Sequence, residues 1–484
     1  MSLEIERKFL LRPCSPRKFL NSLDIEYRVD SIEQYYLPTE EYIYIRYRKI
    51  GSDFFKTIKS GDGMIRNEDE YRVTKDEYLE HHAKHIGRVI EKERFTFIYN
   101  KTKYELDRFK KDLKGLCYLE IEFGNENEAE NFVLPDIFST IYIAEVTNDY
   151  RFNNASLSKP GNIPTIHTDL EKLLRKVKIV LPSEINEFPL LIEPFESTET
   201  AILAIFQNRL NIIRDTRQQL KDDIDNREKL HNFWIAMRRT RALIGEFDSC
   251  FTTNWSSLHK RNISMLMAQT NSKQDIDTFL VKIDYYRANL STKNQENLNL
   301  IKKILEEKNR SLKTKVMGLL DSELLNYEIS SLGRPVMVDK KTLLQPMIIS
   351  SIHILQNHIE EILREGKDLD FSSKSQSHYY MRIQFKNLCC FIEDTKPFIL
   401  NEKYNKTILL IRNMERLLGD YHDLEFQRLF LIKLSKEVDS SMIKTIQELR
   451  KIIFTIQKEV ENLFQVEYKQ FIKEEKQLKQ LFKC

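Results

Sequence analysis

At 484 residues the chain is longer than the roughly 250–300 residues one hydrophobic core organises, so two or three domains are expected. Its 76 Lys and Arg against 73 Asp and Glu leave a net charge of only +3, which excludes an acidic tail and a strongly basic nucleic-acid binder. A hydrophobic fraction of 41% excludes a disordered chain.

In chain order, the first 160 residues carry short segments that alternate in polarity with period two and are rich in Ile, Tyr, Phe and Val. They predict strands over Leu3 to Leu10, Tyr42 to Lys49, Phe54 to Lys59, Ile65 to Val73, Val89 to Tyr99, Lys103 to Phe109 and Cys117 to Phe123, with one helix near Lys75 to His85. Gly61, Gly63 and Gly115 sit where hairpin turns fall. Five of the 12 prolines then crowd between Pro160 and Pro194, which predicts a linker over 159–195 with one short helix around Asp169 to Val180. Beyond it, apolar residues recur at three- and four-residue spacing, predicting helices near 197–221, 227–246, 257–269, 273–289, 294–327, 340–364, 376–394, 404–419, 421–436 and 440–482.

Almost every predicted strand places charged residues at i and i+2, on one face. Glu4, Glu6 and Lys8 share a face, as do Arg46 and Arg48, then Lys59, then Arg66, Glu68 and Glu70, then Lys92 and Arg94, then Glu105 and Asp107, then Glu120 and Glu122. One such pair is an ordinary wet sheet face. The whole set, with the opposite face also partly polar at Glu91 and Glu93, points instead to a closed barrel with a charged lumen. Pairs of Glu offer oxygen to a hard cation such as Mg²⁺ or Mn²⁺, and Lys and Arg offer sites for phosphate oxygens. No glycine loop followed by Lys and Ser or Thr is present, so side chains rather than backbone amides must hold the phosphates.

These residues resemble the CYTH domains, or triphosphate tunnel metalloenzymes. The E-x-E-x-K signature is Glu4-Ile5-Glu6-Arg7-Lys8, followed in order by Arg46-Tyr47-Arg48, Thr57-Ile58-Lys59, Arg66-Asn67-Glu68-Asp69-Glu70, Lys92-Glu93-Arg94, Glu105-Leu106-Asp107, Glu120-Ile121-Glu122 and EVTNDYRFNNASL from Glu145. The resemblance implies an eight-stranded antiparallel tunnel over residues 1–158. It implies metal ligands at Glu4, Glu6, Glu120 and Glu122, and phosphate ligands at Lys8, Arg46, Arg48, Lys59, Arg66, Lys92 and Arg94. Lys8, Glu68, Glu70 and Asp107 are implied to assist attack of a metal-positioned water on the terminal phosphorus. Inorganic triphosphate is the expected substrate; thiamine triphosphate, nucleoside triphosphates and cyclisation of ATP are the family's other chemistries. Tyr35, Tyr36, Tyr42 and Tyr44 are expected to pack outside the tunnel.

Among the predicted helices a single pattern occurs twice: His231, Trp234, Arg238 and Arg241 at spacings 0, 3, 7 and 10, with Arg239 beside them, and Tyr379, Arg382, Lys386 and Cys389 at the same spacings. Acids follow each, at Asp275 and Asp277 and at Asp420, Asp423 and Glu425. This order resembles the CHAD domain, a pair of similar four-helix bundles, over residues 196–484. The resemblance implies binding of inorganic polyphosphate by His231, Arg238, Arg239, Arg241, Arg382 and Lys386. Trp234, Gln274, Tyr379 and Cys389 stand where the family carries Arg or His, and each removes a cation or proton carrier from that surface. The basic run Lys308, Arg310, Lys313 and Lys315 reads equally as a solvated helix face.

No apolar run approaches the roughly 20 residues of a membrane helix, and the charged start MSLEIERKF does not read as a signal peptide, so a cytoplasmic protein with no membrane or specific nucleic-acid partner is expected. Six scattered cysteines predict reduced thiols.

Overall fold

The computed structural model describes residues 2–39, 43–60, 65–166, 192, 194–366, 375–399 and 402–474. The N-terminal region is one antiparallel sheet of nine strands: β1 Ser2–Leu11, β2 Tyr27–Leu37, β3 Ile43–Ile50, β4 Asp53–Ser60, β5 Ile65–Val73, β6 Ile86–Tyr99, β7 Thr102–Phe109, β8 Cys117–Phe123 and β9 Tyr142–Glu145. Their order is β5-β4-β3-β2-β6-β7-β8-β1-β9, and β1 also pairs with β5. Eight strands therefore close into a ring, which leaves no free edge, and β9 adds to β1 beside Phe9, Leu10 and Leu11. Four short helices accompany the ring: α1 Pro16–Ser22, α2 Lys75–His82, α3 Glu126–Asn131 and α4 Asn154–Ser158.

Two strands escape the sequence reading. β2 is absent from it, although Val29, Ile32, Tyr35 and Tyr36 are strand formers, because Asp30, Glu33 and Gln34 break up its apolar alternation. β9 has only four residues. The hairpin turn expected at Gly61 and Gly63 and the helix expected at Asp169 to Val180 lie outside the described residues.

The ring has two differently filled faces. Outside, Phe9, Leu11, Phe95, Phe97, Tyr104, Leu106, Leu119 and Phe138 form one core, and α2 lays Tyr78 on Tyr35 and Tyr47 in another. Glu91 and Glu93, the charges that made both faces of β6 look polar, pair on that outer side with Lys111 and Lys110. Inside, several lumen rows change from charged or amide side chains to aliphatic and aromatic ones at the same end: Lys8 is followed by Leu10, Asp107 by Phe109, Lys92 is preceded by Ile90, Glu120 by Tyr118, and Gln34 is followed by Tyr36. The five terminal side chains are buried in one cluster and close the tunnel with an apolar floor. Tyr36 thus corrects the expectation that it packs outside: it belongs to this floor, and its hydroxyl accepts from Gln34 Nε2 at 3.2 Å. Tyr44, cross-strand from Lys59, also shares the lumen side of β3, while Tyr42 lies outside the described residues.

The remaining chain is helical: α5 Thr198–Asp222, α6 Arg227–Glu246, α7 Thr253–Arg287, α8 Thr292–Leu320, α9 Glu323–Ser331, α10 Lys340–Leu343, α11 Met347–Gly366, α12 Ser375–Ile399, α13 Glu402–Leu434 and α14 Ser440–Lys473. Polar residues near 271 and Gly419 suggest breaks, yet α7 and α13 run through both, and the expected 294–327 helix instead ends at Leu320 and restarts at Glu323 with Ser322 as its cap. Tertiary packing overrides a single poor helix former inside a long amphipathic stripe. Two apolar cores lie along these helices. The larger joins α5, α6, α11 and α12; the smaller joins the C-terminal half of α7 and the N-terminal half of α14 to parts of α8 and α13.

The larger core does not stop at the helices. It takes in the tunnel floor, with Leu113, Leu116, Ile163 and Phe195 as the bridge. Gly115, between β7 and β8, holds φ +101°, and a Cβ there would lie 2.2 Å from Ile349 Cδ1 on α11. Gly115→Val is therefore expected to cost about 2–4 kcal/mol of stability, from backbone strain plus overpacking. A urea midpoint equal to that of the parent would show that the junction repacks freely.

Candidate functional site

Cross-strand register places the predicted charges on one wall-to-wall surface inside the ring. Glu6 lies opposite Glu122, Lys8 opposite Glu120, Glu105 opposite Glu120, Arg94 opposite Asp107, Arg46 opposite Thr57, and Thr57 opposite Glu70. Glu4, Lys59 and Arg66 share this face by register, with Glu4 opposite Arg66 and Lys59 opposite Glu68; their side chains lie outside the described residues. β2, missed in the sequence, contributes Gln34 opposite Arg48. The signal that finds it is the Gln34 and Tyr36 spacing, which repeats the i, i+2 rule with uncharged groups.

The charges fall into two groups. In the first, Asp107 is wholly buried and receives Lys92 and a two-point contact from Arg94, at 2.7 Å from Nε to Oδ1 and 2.7 Å from Nη2 to Oδ2. Arg94 also reaches Glu105 and Glu120, and Lys8 lies 3.1 Å from Glu120 and 3.5 Å from Glu6. Burial by itself would raise the Glu120 carboxyl, but Lys8, Lys92 and Arg94 overcome it and hold Glu120 well below the usual carboxylate range. Burial lowers the Lys92 ammonium despite Asp107. Both oxygens of Asp107, a residue expected to assist the chemistry, are engaged by Lys92 and Arg94.

In the second group, Arg46 donates to Thr57 at 3.0 Å and Glu68 at 3.2 Å, with Glu70 at 3.5 Å, and Thr57 donates to Glu70 at 2.8 Å. Arg48 differs from all of these. It makes no hydrogen bond or ion pair among the described residues, its Nε is buried without a partner, and burial beside Arg46 and Arg94 pushes its guanidinium down to about 10. A partly buried cation without a paired counter-charge is unfavourable on its own, and an anion in the lumen would relieve it.

The donor chemistry also fits a hard divalent cation. Glu6, Glu120 and Glu122 offer carboxylate oxygen on two paired strands, with Glu4 next along the same face. Glu122 is exposed, Glu6 half-buried and Glu120 buried, a graded row leading inward.

The helical region holds a second cleft, of about 520 Å³, lined by residues that include His231, Trp234, Asp275, Tyr379, Arg382 and Asp423. The two i, i+3, i+7 faces on α6 and α12 meet here, with His231, Trp234, Tyr379 and Arg382 in the lining and Arg238 and Lys386 behind it on the Trp234 ring. Lys386 Nζ lies 4.2 Å and Arg238 Cζ 4.9 Å from the Trp234 ring centre, and Trp234 Nε1 donates to Asn271 at 3.0 Å. Arg238, Arg382 and Lys386 make no ion pair among the described residues, and burial with Arg238 and Arg382 nearby pushes Lys386 down to about 6. His231 accompanies them at the rim and is lowered by burial and by Arg238. Two expected members are elsewhere: Arg239 is buried against Glu393, and Arg241 is exposed and does not line the cleft. Of the expected acids, Asp275, Asp277 and Asp423 all line the cleft; Asp277 is held by Lys273 at 3.0 Å and by Asn309, and Asp423 lies 3.5 Å from His422. In the basic run, Lys313 pairs with Asp225 at 2.6 Å and Lys308 with Glu437 at 3.6 Å.

Among the described residues no helix is long and apolar enough to cross a membrane. Cys14, Cys117, Cys250, Cys389 and Cys390 form no disulfide among the described residues.

A closed antiparallel ring lined by acids and cations, fused to a two-core helical unit, defines a tunnel protein with an appended all-helical domain. Residues 204–431 match the CHAD domain family. An inorganic triphosphatase from Nitrosomonas europaea is 32% identical over 157 residues, covering 32% of this chain and 96% of that protein. An inorganic triphosphatase from Acetivibrio thermocellus is 30% identical over 163 residues, covering 33% of this chain and 95% of that protein. The crystal structure of a CHAD domain from the plant Ricinus communis is similar at 17% identity and a TM-score of 0.43, over 54% of this chain and 86% of that one. The chain belongs to the CYTH-CHAD family of triphosphatase-like proteins.

Proposed function

We propose that the protein hydrolyses inorganic triphosphate with a divalent metal, Mg²⁺ or Mn²⁺, in the tunnel. The observation that carries this reading is Arg48, a half-buried guanidinium whose Nε is buried and which has no ion-pair partner among the described residues, on a surface that carries both acids and bases. The names of the two triphosphatase relatives, each matched over nearly its full length, support the same chemistry. In this reading Arg46, Arg48 and Lys8 hold the phosphate chain, with Lys59 and Arg66 on the same face, while Arg94 and Lys92 are fixed in place by Asp107. Glu4, Glu6, Glu120 and Glu122 hold the metal, which when bound supplies charge neutralisation at the phosphoryl oxygens. The apolar floor limits the lumen to short chains and keeps bulk water from its inner end.

Purified protein is expected to release phosphate from triphosphate only with added Mg²⁺ or Mn²⁺. Arg48→Ala should raise KM for triphosphate at least about tenfold while leaving the melting temperature unchanged or higher, because it removes a charge that the fold itself does not pair. An unchanged KM would remove Arg48 from the phosphate site, and no metal-dependent release from the parent would remove the activity.

The helical cleft is the second element of the proposal. Three cations without carboxylate partners among the described residues suit a phosphate-bearing anion, with inorganic polyphosphate the one implied by the family resemblance.

A further inference from the structure

The helical cleft has a composition that a plain polyanion does not explain. Arg382 lines it, and Arg238 and Lys386 pack on the ring of Trp234, another lining residue, but the lining also includes four carboxylates, Glu228, Asp275, Asp277 and Asp423. Asp275 makes no hydrogen bond or ion pair among the described residues, and burial together with Asp423 pushes its carboxyl up to about 6. A phosphate chain filling this space would set like charges against these acids, a cost that a specific site avoids. Tyr379, on the same lining, leaves 55% of its surface exposed. Trp234 and Tyr379 are also two of the positions where the chain departs from the basic pattern of its family.

A ligand that satisfies all of these groups is anionic at one end and flat, neutral and hydrogen-bond donating at the other. Phosphate oxygens match the guanidinium and ammonium groups. A heteroaromatic ring matches an exposed phenol face. An exocyclic amine on that ring matches a carboxylate that lacks a donor. A cleft of about 520 Å³ is within the range of sites for molecules of this size.

We propose that the helical cleft binds a nucleoside oligophosphate, with its phosphates on Arg238, Arg382 and Lys386, its base against Tyr379, and the base amine directed to Asp275. The inference rests on the reading of this cleft as an anion site and adds to it a preference for a base.

Trp234 touches two of the proposed phosphate ligands, whereas the only other tryptophan, Trp255, packs on Phe251 and Phe206 in the core, so the indole emission reports on this cleft. The full-length protein is titrated with ATP and, separately, with inorganic triphosphate, both in EDTA, and Trp234→Phe identifies the reporter. ATP is expected to bind at least about tenfold more tightly than triphosphate, the scale of one stacked base. Tyr379→Ala, at an exposed position, should weaken ATP to the level of triphosphate and leave triphosphate unchanged. If triphosphate binds as tightly as ATP, or Tyr379→Ala weakens both equally, the preference for a base is wrong and the anion site stands. If neither ligand changes the Trp234 emission, the anion site itself falls and this inference falls with it.

Discussion

Glu120→Gln is expected to lower the rate of metal-dependent triphosphate hydrolysis by roughly 10²–10³-fold, the scale on which single groups that stabilise a developing charge are felt. Glu120 is the acid on which the tunnel converges. It is opposite Lys8 on β1 and Glu105 on β7, it receives Arg94 and Lys8, and those cations with Lys92 keep it ionised despite burial. The amide keeps the shape of the side chain but gives up its charge, so the row of oxygen donors from Glu6 inward loses a member and Lys8 and Arg94 keep one acid fewer. Phosphate release and the affinity for Mn²⁺, followed by the spectrum of the free ion, should both fall. A rate within threefold of the parent would take Glu120 out of the metal site.

The second large effect is on the fold. Asp107→Ala is expected to destabilise the protein by about 3–5 kcal/mol, the range for removing one partner from a buried ion pair. Asp107 is completely inaccessible and its two oxygens serve Lys92 and Arg94, so truncation strands Lys92 in an apolar wall beside Phe109. The control is Asp107→Leu combined with Lys92→Met, which exchanges the pair for hydrocarbon. Stability should largely return, since Arg94 keeps Glu105 and Glu120, while hydrolysis stays depressed because Arg94 has lost its two-point anchor. Urea midpoints of the single and double variants, set beside their rates, separate the two roles. A single variant as stable as the parent would mean that Asp107 orients nothing.

How much of this is legible in the sequence depends on whether a residue advertises itself by charge. The i, i+2 pairs on β1, β3, β6, β7 and β8 reveal the ring and its lining because alternation along a strand maps directly onto a face. Gln34 and Tyr36 occupy the same lining but are uncharged, and their strand goes unnoticed with them. In the helices the period locates α6 and α12 and brings His231, Trp234, Arg238, Arg382 and Lys386 together, yet it also recruits Arg239 and Arg241. One residue of offset is about 100° around a helix, and only packing decides that Arg239 turns inward to Glu393. That no carboxylate among the described residues pairs with Arg48 is likewise a property of three-dimensional neighbours; the same strands are rich in acids, and nothing in their order hints that Arg48 is the cation they pass over.

The apolar floor of the tunnel has a consequence for what counts as a module in this chain. By sequence similarity the first third matches whole relatives and could be cut free. Here its base is completed from outside by α11, with Leu113, Leu116 and Gly115 laid on helical side chains. Excised, it would expose the apolar underside that helical side chains cover here. The boundary between the halves is thus one of ancestry but not of solvent, and the two halves are expected to unfold together in a single urea transition.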